Sequence, residues 1–203
     1  MKPWNDSVKK TGKLTIYMGA LAGPWVHVFR EAVRDVNHLS NGYKLGFTLV
    51  ESHEPATEQG GALVSAHTAS GTIERKYKNI DDKESFIGTA LHGRTLLISP
   101  EQDKNVLEKA FIYLPAQPII SSPQTVRAAG QRVMKVIAAH ELLHACGLEN
   151  EDHQDDDLFQ ANPRASGGAR PADDKILIGT GPKGMPPLVL GPVTVKNLQD
   201  LWT

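Results

Sequence analysis

The stretch His140-Glu141-Leu142-Leu143-His144, followed by Gly147, decides the interpretation of this chain. Residues four apart lie on one face of a helix, so a helix here presents the imidazoles of His140 and His144 side by side. Glu141 lies one position round that helix, where it can reach a metal-bound water without being a ligand. Two neutral imidazoles, an open coordination position and a nearby carboxylate are the parts of a catalytic zinc site.

The residues before the motif continue the helical pattern. Apolar residues recur at helical spacing and extend the stripe that carries the two histidines: Val126, Ala129, Val133 and Ile137. Ser122-Pro123 offers a cap and a first-turn proline, and Gly147 offers a left-handed stop. We therefore predict one helix that begins at Ser122-Pro123 and ends at Gly147. The alternative is a coincidental pair of core histidines.

Length and composition indicate one globular domain. The 203 residues contain 40% hydrophobic and 22% charged residues, with a net charge of −1. A balance so close to neutral argues against nucleic acid or an anionic membrane as the main partner. We expect a monomer with an N-terminal subdomain of about residues 1–147 and a C-terminal subdomain of about residues 148–203. Cys146 is the single cysteine, which excludes an internal disulfide, and we expect a small buried helix residue.

The N-terminus bears on localisation. Residues 1–7 are polar and lack the apolar run of a signal peptide, and no stretch approaches the roughly 18 apolar residues of a membrane span. The sequence therefore predicts a protein that works inside the cell or is exported without a cleaved signal. A leader missing from this sequence is the alternative.

The N-terminal third predicts a strand, a helix and a strand. Residues 13–19 are rich in strand formers, residues 24–38 keep an apolar helical face, and residues 43–52 alternate apolar and polar side chains. This order favours a parallel pair of strands joined by a crossover helix. A third strand is expected at residues 62–68.

The middle and the end of the chain are less regular. We expect a loop at residues 70–84, a hairpin of strands 86–92 and 94–98 turning at His92-Gly93, and a buried strand at 110–114. Residues 148–187 are predicted to be mostly irregular, with a short strand at 176–178. Thr194 is expected to cap a last helix at residues 195–202.

These features together resemble the metzincin metalloproteases, and within them the matrixin-type catalytic domain. The likeness rests on the zinc motif, a later Met-Pro loop at Met185-Pro186, and the run Leu198-Gln199-Asp200-Leu201-Trp202 in the last helix. It implies an α/β (α+β) fold with a twisted, mixed five-stranded sheet and two long helices, followed by an irregular C-terminal part. It also implies that Met185 forms a Met-turn beneath the metal; the alternative is a methionine that fills a core gap.

The third zinc ligand departs from the family pattern. The family places it six residues after the second histidine, where this chain has Asn150, whose amide oxygen is a poor ligand for zinc. His153 is the nearest imidazole, and we predict it as the third ligand, with an aspartate such as Asp152 or Asp155, or Asn150 itself, as alternatives. The extra three residues must bulge outward or add a helical turn. A downstream glutamate is excluded because no Glu follows Glu151.

The resemblance implies a zinc-dependent endopeptidase. Glu141 would act as the general base, and a protein or peptide substrate would lie antiparallel to an edge strand, which we expect within residues 88–98. The alternative is a zinc-binding interaction module that is weak or inactive in catalysis. Asp155, Asp156 and Asp157 offer hard oxygens for a Ca²⁺ ion, although a solvated acidic loop is the plainer interpretation.

Overall fold

The first third of the chain forms a parallel pair of strands joined by a helix. Our computed structural model describes residues 1–58, 60–77, 80–86, 93–122, 125–153 and 188–203. A short helix α1 (Asp6–Thr11) leads into strand β1 (Lys13–Ala20), helix α2 (Trp25–Tyr43) and strand β2 (Thr48–Ser52). Strands β1 and β2 are parallel, which confirms the predicted crossover.

Helix α2 ends later than predicted. Residue 43 was expected in a strand, but it lies in the last helical turn, and Lys44 adopts the left-handed conformation that ends the helix (φ 55°). The buried hydroxyl of Ser40 donates a hydrogen bond to the carbonyl of Phe47 (2.6 Å), which ties this last turn to the start of β2. Asn41 and Gly42 are therefore accommodated within the helix, and tertiary contacts decide where it ends.

Five strands form the main sheet, in the order β2-β1-β3-β7-β6. The new strands are β3 (Val64–Ala69), β6 (Arg94–Ile98) and β7 (Lys109–Pro115). The first four strands in this order run parallel, and β6 pairs antiparallel with β7 at the edge. The predicted mixed α/β class with a five-stranded sheet is therefore confirmed.

Two hairpins replace segments that were predicted otherwise. Strands β4 (Gly71–Tyr77) and β5 (Ile80–Phe86) pair antiparallel, so the loop predicted at 70–84 is wrong, and residue 86 ends β5 instead of opening the next strand. The register places Glu74 opposite Lys83 and Arg75 opposite Asp82. The charged sequence of this segment had suggested a loop, because a local pattern does not display pairing between strands.

The motif helix begins later than predicted. Strands β8 (Ile119–Ser122) and β9 (Thr125–Ala128) form the second hairpin, and helix α3 (Gln131–Ala145) starts after Gly130. The prediction that Ser122-Pro123 opens this helix is wrong. A residue that precedes proline is biased towards extended backbone, and Thr125 and Val126 are β-branched strand formers.

Helices α2 and α3 pack on one face of the sheet, and a last helix α4 (Pro192–Trp202) supports the C-terminal end of α3. The Trp202 indole donates a hydrogen bond to the carbonyl of Cys146 (2.9 Å). Gly191 occupies the cap position of α4, and Thr194 is fully buried, so the predicted Thr194 cap is wrong.

Cys146 is buried as expected, and burial raises the pKa of its thiol.

Several predictions fall outside the described residues. These are Met185, Asp155–157, the strand predicted at 176–178, and residues 87–92 of the first strand of the predicted hairpin. Among the described helices, none has the length and apolar character needed to cross a membrane.

Candidate metal centre

The first two histidines meet on one face of α3. His140 and His144 are four residues apart, and their Nε2 atoms lie 3.1 Å from each other. Two ligand nitrogens of a tetrahedral zinc ion, each about 2.0–2.1 Å from the metal, lie about 3.3 Å apart. An N–H···N hydrogen bond would fit the same distance, so the pair alone does not distinguish the two arrangements.

The backbone orients one of these rings. The Nδ1 atom of His144 lies 2.8 Å from the carbonyl oxygen of Leu148, an acceptor that requires a proton on Nδ1. In neutral imidazole the other nitrogen then carries the lone pair, and this is the Nε2 atom that faces His140. A hydrogen bond from the outer nitrogen to a carbonyl is the usual support of a metal-bound histidine.

His153 joins the pair from the segment after α3. It is only 4% exposed, and its ring centre lies 4.8 Å from that of His140 and 4.7 Å from that of His144. One nitrogen from each of the three rings can be chosen so that all three atoms lie within 4.8 Å of one another. The structure therefore brings together the three imidazoles that the sequence nominated, and they could hold a metal ion.

Two local features turn the chain back towards α3. Gly147 has a φ of 108°, and a Cβ there would lie 2.4 Å from the carbonyl oxygen of Lys2, so this position requires glycine. Residues Asn150–Asp152 then form one turn of 3₁₀ helix directly before His153. The extra three residues are therefore accommodated by a helical turn, one of the two arrangements expected for the longer spacing.

The same turn directs the competing ligands elsewhere. Asp152 Oδ2 accepts a hydrogen bond from the backbone N–H of Glu149 (2.7 Å) and lies 2.9 Å from the amino group of Met1. The carbonyl of Asp152 accepts a hydrogen bond from the side chain of Asn197 in α4 (2.8 Å). Asn150 is exposed at the rim of the cleft. Asp152 thus stabilises the turn that precedes His153.

Glu141 is a buried carboxyl group beside the three rings. It is only 4% exposed, and burial raises its pKa to about 7 against the opposing effects of the Thr95 hydrogen bond and the charges of His153 and Arg94. The Thr95 hydroxyl lies 2.7 Å from Oε2 of Glu141 and 3.1 Å from its backbone carbonyl. The shorter contact, to a charged acceptor, is the stronger of the two.

Thr95 and its neighbour Gly93 had no role in the sequence analysis. Thr95 contacts Glu141 across 46 positions of sequence, and no spacing rule connects a strand residue with a helix residue at that distance. Gly93 was interpreted as part of a hairpin turn. The alternation of side chains in β6 could have indicated that Thr95 faces the helices. It places Thr95 on the same face as Leu97, which packs in the helix-covered core.

Glu141, Thr95, Gly93 and the two histidines of α3 line one cleft of about 720 Å³ between β6 and the C-terminal part of α3. One wall is the edge strand, with Gly93, Arg94 and Thr95, and the opposite rim carries Glu149 and Glu151. The lining of the cleft therefore includes part of the edge strand, charges of both signs and the imidazoles of His140 and His144.

The chain matches no protein-family model and no curated protein.

Proposed function

We propose that this protein is a zinc-dependent peptide-bond hydrolase with a metzincin-like site. The observation that carries the proposal is the convergence of His140, His144 and His153 beside the buried carboxyl of Glu141. A coincidental pair of core histidines explains two neighbouring imidazoles. It does not explain why a third imidazole approaches from a separate segment, next to a buried carboxyl group.

The donor set fits zinc. Three imidazole nitrogens with room for a fourth ligand are the arrangement of catalytic zinc sites, and imidazole is preferred by zinc over the hard ions that favour carboxylates and carbonyls. The Leu148 carbonyl contact fixes the tautomer that leaves Nε2 of His144 available as a ligand atom. A zinc ion bound there would supply Lewis-acid chemistry, acidifying a water molecule and polarising a carbonyl.

Glu141 is the residue that moves protons in this proposal. Burial raises the pKa of this carboxyl towards neutral pH, and a pKa close to the working pH suits a group that takes and gives a proton. Its carboxylate would take a proton from the attacking water as the C–O bond forms. The same carboxyl would then give that proton to the amide nitrogen as the C–N bond breaks, which leaves Glu141 ionised for the next cycle.

Strand β6 is the proposed substrate platform. Within the described residues it pairs with β7 on one side only and stands last in the order of the sheet. A peptide could add to its other side through backbone hydrogen bonds, which would place a peptide bond across the cleft from the histidines. The edge strand expected within residues 88–98 corresponds here to Arg94–Ile98, with Gly93 before it.

The metzincin likeness supports the proposal beyond the motif itself. The coarse features that support it are a mixed five-stranded sheet, a helix that carries the motif and a last helix near the end of the chain. The spacing to His153 differs from the family pattern. A Met-turn at Met185 and a Ca²⁺ site at Asp155–157 stay predictions.

Zinc removal and restoration combined with a peptide screen tests this function. The purified protein is assayed against a quenched fluorescent peptide library, then after dialysis against a chelator, and again after zinc is added back. We expect cleavage that disappears with the metal and returns with zinc. Zinc binding without cleavage of any peptide would favour the interaction-module alternative, and failure to bind zinc would overturn the proposal.

A further inference from the structure

The edge strand contacts Glu141 through one hydroxyl group. Thr95 occupies a position of β6 that faces α3, as its register partner Ile112 on β7 faces the helix-covered core. Its hydroxyl lies 2.7 Å from Oε2 of Glu141. Thr95 therefore fixes one of the two carboxylate oxygens and leaves Oε1 for other partners.

A second contact comes from the residue that precedes β6. A Cβ placed on Gly93 would lie 2.7 Å from Cγ of Glu141 and 3.0 Å from both its Cδ and Oε1. Any side chain at this position would press on the middle of the Glu141 side chain, which is itself buried and has little room to retreat. The absence of a side chain at Gly93 is therefore a steric requirement of the observed Glu141 rotamer.

Together, Gly93 and Thr95 define the position of the carboxyl group from two sides. We propose that Thr95 is a positioning residue for Glu141, with Gly93 providing the space that the aligned carboxyl group occupies. This inference rests on the proposed function, because positioning matters only if Glu141 transfers a proton. Because the substrate is proposed to lie on the same strand, binding and proton transfer share one rigid element, as a precise site requires.

Kinetic measurements on three threonine variants test the inference. Thr95→Val removes the hydroxyl at nearly constant shape, and Thr95→Ser keeps it. Thr68→Val is the matched control, because the Thr68 hydroxyl accepts a hydrogen bond from the Ala22 backbone (2.9 Å) in the same sheet, away from Glu141. We expect Thr95→Val to lower kcat about 10- to 100-fold with little change in KM, Thr95→Ser to restore most of it, and Thr68→Val to leave kcat unchanged.

Crystal structures of the same variants, with Gly93→Ala added, give a readout that needs no activity. We expect the Glu141 carboxyl to move or to occupy several rotamers in Thr95→Val and Gly93→Ala, and to stay in place in Thr95→Ser. An unmoved carboxyl in both of the first two variants overturns the inference, as does an unchanged kcat in Thr95→Val. If the parent cleaves no peptide, the proposed function fails, and the crystal structures still decide whether Thr95 positions Glu141.

Discussion

Among the described residues, histidines are withdrawn from solvent in two regions, and their surroundings differ between the two. His67 lies on β3, where its ring stacks on Tyr113 (5.4 Å between ring centres, 25° between planes) on the sheet face opposite the core that α2 and α3 cover. His140, His144 and His153 instead face one another beside a carboxyl group. Burial alone therefore indicates packing, whereas convergence of imidazoles from separate segments indicates a metal site.

The pKa shifts and the hydrogen bonds also differ between the region of His67 and that of the three histidines. Burial lowers the pKa of His67, which holds the ring neutral against Tyr113, and no described residue accepts or donates a hydrogen bond at its Nε2. In the other region burial raises the pKa of the Glu141 carboxyl to about 7, and the Leu148 carbonyl orients one ring. A neutral histidine that contacts aromatic rings on the face of the sheet has a packing role.

The largest expected effect is that of Glu141→Gln, which removes the proton acceptor and keeps the imidazoles. We expect kcat on a cleaved peptide to fall by about 100- to 10,000-fold while zinc content stays at the level of the parent. Peptide assays and metal analysis on the same preparation measure both quantities. Glu31→Gln, a change on the surface of α2, is the control. Cleavage at the parental rate would exclude Glu141 as the general base.

Metal removal should have the next largest effect, on stability. A ligand present at 100 to 1,000 times its Kd stabilises the folded state by about 2.7–4.1 kcal/mol, so chelation should lower the free energy of unfolding by about that amount. Denaturant titrations with and without the chelator measure it. His67→Phe should respond to chelation as the parent does, and His140→Ala should respond little. An equal response in all three proteins would remove the distinction between the two regions.

The smallest expected effect is the pH dependence that His67 contributes. Because its folded-state pKa lies below the ordinary value of 6.5, the unfolded chain binds the proton more readily. The contribution of His67 to stability is therefore complete above about pH 6.5 and is lost as the pH falls below it. When the pH is lowered from 7.5 to 5, we therefore expect the free energy of unfolding of the parent to fall relative to that of His67→Phe. A constant difference between the two proteins across this range would contradict the assignment.

The sequence was most informative where local pattern and tertiary fold agree. The helical spacing of His140 and His144, the strands predicted at residues 13–19 and 110–114, and the crossover through α2 all appear in the structure. His153 could be nominated because zinc prefers imidazole and because lengthening a loop costs little free energy. These are rules that act within a few residues or through ligand chemistry.

The errors came from contacts that the sequence does not display. The charged β4–β5 hairpin forms by pairing across strands, and α3 begins only after the β8–β9 hairpin, where the apolar spacing of Val126 had suggested helix. Thr95 and Gly93 escaped notice for the same reason, since their link to Glu141 exists only when β6 lies against α3. Non-local packing decided each of these features.

Zinc stoichiometry in single-residue variants tests the central claim most directly. His153→Ala, Asn150→Ala and Asp152→Asn are purified in parallel with His67→Ala, and bound zinc per chain is measured at equal protein concentration under mild chelation. We predict one zinc per chain in the parent, in Asn150→Ala and in His67→Ala, a small reduction in Asp152→Asn through its supporting role, and loss in His153→Ala. Full zinc loading of His153→Ala, or a parent that binds no zinc, would contradict the account.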